Sequence, residues 1–172
     1  MKQFYTRENK ERAAPLWLLL RYNVEPEMVR AVFHYSLSTI TLDCAAEQNL
    51  PEVVRYVMHH NLYTRSEQFR AFCAAVDKGY ADLLKLIAYD GWKEPFTYHS
   101  ARMGHLSVLE TFHSTGVELT SYLYVEAAAN NQMEVIYLLL SLGIRLPEYI
   151  RQHAIHLARQ RNYERIAEYL AQ

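Results

Sequence analysis

The sequence predicts an all-α fold, a solenoid of five to six helix-turn-helix repeats, and three observations predict it. Pro51-Glu52-Val53-Val54-Arg55 echoes Pro26-Glu27-Met28-Val29-Arg30 twenty-five positions earlier. Its acid and aliphatic anchors, Glu52 and Val54, recur as Asp82 and Leu84, Glu134 and Ile136, and Glu164 and Ile166, with Ser107 and Leu109 the pair that lacks the acid. Each recurrence carries two helix-stop residues and one apolar stripe, so each is a pair of short helices that needs a neighbour to cover it.

Residues 1–12 are polar and read as a frayed arm or first turn. Ala13 to Arg21, with Pro15 in the first turn, reads as an apolar helix paired with the helix that begins near Pro26. The stripe then returns as Val53, Val54, Val57 and Met58; Leu83, Leu84 and Ile87; Val108, Leu109 and Phe112; Val135, Ile136, Leu139 and Leu140; and Ile166, Tyr169 and Leu170. Acids in the first turn suit the positive end of the helix dipole.

Seven residues past the second anchor stand Ser36, Asn61, Gly91, Gly116 and Gly143, which are expected to end the second helices. Five residues before it stand Asn49, Gly79, Gly104 and Asn131, which are expected to end the first helices, with Arg161 the aligned position in the last repeat. Gly and Asn tolerate the left-handed conformation that such ends require. Small pairs precede these stops: Ala45-Ala46, Ala75-Val76, Ser100-Ala101, Ala127-Ala128 and, by alignment, Leu157-Ala158. Thr64 with Glu67 forms a capping box, and Pro95 and Pro147 are read as first-turn prolines. In this register Arg165 replaces the first aliphatic of the stripe, which marks the last repeat as a cap.

The result is one repeat domain over 1–172. It comprises an N-terminal capping repeat at 13–36, internal repeats at 37–61, 62–91, 92–116 and 117–143, and a C-terminal capping repeat at 144–172.

Composition narrows the function. The chain is 51% hydrophobic and 22% charged, which suits a folded globular protein. A net charge of −1 supplies no global field for nucleic acid or an anionic membrane. The run Leu16 to Leu20 is too short to span a bilayer. Two cysteines, Cys44 and Cys73, are read as reduced thiols in a cytoplasmic protein. The histidines, including His59-His60 and the pair His153 and His156, lack metal-site spacing, and no phosphate loop or nucleophile elbow is present. Neither enzymatic activity nor a cofactor or metal is therefore expected.

The units Ala45-Ala46-Glu47-Gln48-Asn49-Leu50-Pro51-Glu52-Val53-Val54, Ala127-Ala128-Ala129-Asn130-Asn131-Gln132-Met133-Glu134-Val135-Ile136 and Ser100-Ala101-Arg102-Met103-Gly104-His105-Leu106-Ser107-Val108-Leu109 resemble a divergent ankyrin repeat. Gly116-Val117-Glu118-Leu119 and Gly143-Ile144-Arg145-Leu146 are similar to that family's Gly-Ala-Asp-Val ending. The Thr-Pro-Leu-His signature is missing from every unit. Stop-to-stop spacings of 30, 25, 27 and 30 fall below the family's period of about 33, leaving little room for its fingers.

The resemblance implies a monomeric protein-interaction module acting as adaptor, inhibitor or host-directed effector, in the cytoplasm of its own or a host cell. It implies a concave face built from the two positions after each small pair: Glu47 and Gln48, Asp77 and Lys78, Arg102 and Met103, Asn130 (Ala129 offers a partner little), and Arg159 and Gln160. These drift from acidic to basic along the chain, which suggests a partner of opposite polarity. Tyr63, Trp92, Tyr98, Tyr122 and Tyr124, in or beside the loops, are candidate aromatic anchors for the same protein partner. The alternative is nucleic-acid binding by Arg145, Arg151, Arg159, Arg161 and Arg165 with Tyr149 and Tyr163, although Glu148, Glu164 and Glu168 share those helices.

Overall fold

The structure, a computed structural model, describes residues 41–172 except positions 88, 90 and 92. The repeat expected at 13–36, Ser36 and the candidate anchor Trp92 lie outside the described residues. The described residues form ten α-helices and contain no strand. In chain order these are α1 (Leu42–Glu47), α2 (Pro51–His59), α3 (Arg65–Asp77), α4 (Ala81–Leu86), α5 (Glu94–Met103), α6 (Leu106–Ser114), α7 (Tyr122–Ala129), α8 (Met133–Ser141), α9 (Glu148–Gln160) and α10 (Glu164–Leu170). Two compact units are present, one holding the described residues up to Ala75 with Asp82–Tyr89, the other Val76–Ala81 with Asp90–Gln172.

In the first unit α1 packs against α2. Leu42, Ala45 and Ala46 are buried, as are Val53, Val54 and Val57. The Thr64 capping box forms: the Thr64 amide donates to Glu67 Oε2 at 2.6 Å, and the Glu67 amide donates to Thr64 Oγ1 at 3.2 Å. Arg70 of α3 donates to Asp43 of α1, Nε to Oδ2, at 2.6 Å. Although partial burial alone would raise the Asp43 pKa, hydrogen bonds from Thr41 and Arg70 and the adjacent guanidinium charge hold it below the ordinary aspartate value. Helix α4 ends at Leu86, five residues before the expected stop at Gly91. There the chain leaves the helical path, and Tyr89 packs on Phe72 and Phe69 at ring separations of 4.7 and 5.8 Å.

In the second unit each first helix packs on its own second helix and on the next first helix. Thus α5 contacts α6 and α7, α7 contacts α8 and α9, and α9 contacts α10, while α6 meets α8. The anchors Leu109 and Ile136 are fully buried, together with Val108, Phe112, Val135 and Leu139. Ser100 and Thr111 lie in the same interior, and each hydroxyl donates to a backbone carbonyl one turn back, Phe96 O and Ser107 O, at 2.7 and 2.8 Å. Leu140, expected in the stripe, is exposed instead, because it follows the buried position 139 around the helix by 100° and faces away from α7.

The expected first-helix stops Asn49, Gly79, Gly104 and Asn131 all adopt positive φ, as do Asn61, Gly116 and Gly143 after the second helices. The amide one residue beyond the stop closes the turn at Asn49, Gly104, Asn131 and Asn162: Leu50 N donates to Ala45 O, His105 N to Ser100 O, Gln132 N to Ala127 O and Tyr163 N to Ala158 O.

That pattern corrects the last repeat. Its stop is Asn162, with φ of 62°, and not Arg161. The interval from Asn131 is therefore 31 residues. In this register Ala158 alone keeps the place of the small pair, while Leu157 is only half-buried. Ile166 and Ala167 fill the stripe, and Arg165 falls on the exposed position held by Glu134 in α8. Arg165 thus marks no cap. Arg159 is the departure, an exposed charge where Ala128 and Ala101 are buried. Pro147 likewise sits at the N-cap of α9, one residue before the first turn.

Candidate functional site

The middle first helix of the second unit defines its free face. Helix α7 is covered by α5, α8 and α9, and Leu123, Tyr124, Val125, Ala127, Ala128 and Ala129 are buried. What remains accessible on it is a single i, i+4 stripe, exposed Tyr122 and half-buried Glu126, continued past the helix end by half-buried Asn130. Next to it α5 presents Arg102 and Met103, and α9 presents Tyr149, His153 and His156. Met103, Tyr122 and Tyr149 are 48%, 50% and 69% exposed, large apolar surface in positions that a buried core would not need.

Two polar rungs cross this face with the same register. Asp77 Oδ1 lies 3.3 Å from His99 Nε2, at ion-pair distance but without hydrogen-bond alignment. Arg102 Nε donates to Glu126 Oε2 at 3.1 Å. Each joins the residue two before one stop to the residue five before the next. The corresponding third pair is Ala129 and Leu157, which carry no charge. The drift of charge read from single positions is therefore partly cancelled, since Arg102 faces the carboxylate of Glu126 from the following repeat.

A second recurring contact fixes the spacing of the repeats. The carbonyl two residues before each stop accepts a hydrogen bond from the next repeat: Asp77 O from His105 Nε2 at 3.0 Å, Arg102 O from Gln132 Nε2 at 3.2 Å, and Ala129 O from Arg161 Nη1 at 2.5 Å. Because a carbonyl only accepts, His105 carries its proton on Nε2. A β-carbon on Gly79 would stand 2.8 Å from the His105 ring, and one on Gly104 would collide with the Gln132 amide.

No protein-family model, curated protein or solved structure matches the chain.

The expected contact residues separate into three groups. Glu47, Gln48, Asp77, Lys78, Arg102, Met103, Arg159 and Gln160 are exposed, and Asn130 is half-buried with its amide donating to Glu126 O at 2.8 Å. With the corrected stop, the two positions facing this side in the last repeat are Gln160 and Arg161, one residue later than expected. Tyr122 is exposed, while Tyr63 and Tyr98 are half-buried, Tyr98 sharing a 3.1 Å hydrogen bond with Thr120.

Tyr124 is not an anchor. It is 0% exposed, and its hydroxyl donates to Ile144 O at 2.8 Å, so it braces the loop before α9. Burial, with a smaller contribution from Tyr169, pushes its pKa up to about 12. Sequence reasoning placed it beside a loop because it lies in the first turn of α7. The two-residue offset from Tyr122 turns it by about 200°, into the core. Glu126, missed in the sequence, was detectable only as an acid one turn before the Asn131 stop region.

Among the described residues no group of three or more potential metal ligands converges, and no helix is long and apolar enough to cross a membrane. Thr41 Oγ1 donates to Cys44 Sγ at 3.2 Å, and burial raises the Cys73 pKa.

Proposed function

We propose that the chain is a non-enzymatic protein-interaction module, an ankyrin-like α-solenoid whose inner helix face, centred on α7, binds a partner protein in the cytoplasm of the producing or a host cell. The observation that carries this reading is the stripe Tyr122, Glu126 and Asn130, flanked by Met103 and Arg102, on a helix otherwise buried. Exposed Tyr and Met beside charges already paired within the face give an apolar contact surface with a polar surround, the composition of protein-binding patches. The family resemblance supports the same face.

The test is affinity capture with mass spectrometry, comparing wild type with Met103→Glu/Tyr122→Ala, two substitutions at exposed positions that leave the core intact. The reading requires that proteins retained by wild type be depleted severalfold by the double variant. An unchanged set, with unchanged circular dichroism, overturns it.

A second reading, nucleic-acid binding by the last repeat, is favoured by one observation: Arg145, Arg159 and Arg165 are exposed and form no ion pair among the described residues. It requires electrophoretic retardation of RNA or DNA that falls steeply with salt.

A further inference from the structure

We draw no further inference here: the strongest candidate, the exposed apolar patch of Tyr137 and Leu140 on α8 with Tyr169 of α10 edge-on to Tyr137, has nothing in the structure to show what covers it.

Discussion

Arg102 of α5 and Glu126 of α7, twenty-four residues apart, form an ion pair of 3.1 Å across the free face of the second unit. A cation that looks available to a partner in the sequence is thus already balanced by the next repeat. Reversing it alone would set two carboxylates side by side.

Arg102→Glu is therefore expected to lower stability by about 0.5–1 kcal/mol, the range of exposed ion pairs. Adding Glu126→Arg should recover it. Urea denaturation of the two single variants and the double variant measures the coupling directly, and a purely additive result would show that the pair contributes nothing.

Tyr124→Phe removes the only hydroxyl that reaches Ile144 O from α7 and leaves the carbonyl of this half-buried residue short of a donor. The expected loss is about 1–2 kcal/mol at neutral pH. The pH dependence has a definite sign: a phenol with its folded-state pKa raised from 10.0 to about 12 contributes stability fully present below pH 10 and lost as pH rises toward 12. Denaturation midpoints between pH 8 and 12 should fall more steeply for wild type than for Tyr124→Phe.

Asp43 works in the opposite direction. Its pKa is held down in the folded state, so its contribution is present above the ordinary aspartate value of 3.8 and is lost as pH falls through the lower folded-state value. Asp43→Asn should flatten the acid limb of the stability profile. An acid limb identical to wild type would remove Asp43 from the account.

Gly104→Ala and Gly116→Ala separate backbone strain from crowding. Both glycines hold positive φ, 77° and 82°, which costs an alanine about 1–2 kcal/mol. At Gly104 the added methyl also meets Gln132, whereas nothing lies within 4 Å at Gly116. Gly104→Ala is expected to destabilise more, and Gly104→Ala/Gln132→Ala should bring the cost down toward that of Gly116→Ala.

The repeating stops and stripes were legible because they are local. A positive-φ Asn or Gly, and an aliphatic pair five residues later, are fixed by the helix geometry of one segment. The last repeat was misread by one residue because Asn162 and Arg161 compete for the same place, and only the closing hydrogen bond from Tyr163 N to Ala158 O decides between them. Charge balance was not legible at all. Arg102 and Glu126, or Asp77 and His99, become neighbours only when consecutive first helices pack side by side. Tyr124 shows a third limit, since a residue beside a loop can still point inward when its helix begins two positions before it.

The recurring bond to the carbonyl two residues before each stop also constrains how the chain can change length. From Gly79 to Gly104, Asn131 and Asn162 the intervals are 25, 27 and 31, yet the second helix always begins two residues after its stop, at Ala81, Leu106, Met133 and Glu164. The differences in length fall upstream of each stop and within the helices, α5, α7 and α9 holding 10, 8 and 13 residues while the segments that enter them keep 7, 7 and 6, and His105, Gln132 and Arg161 still meet their acceptors. One margin of the molecule is metrically rigid and the other is elastic, and novelty in length has a single side on which to accumulate.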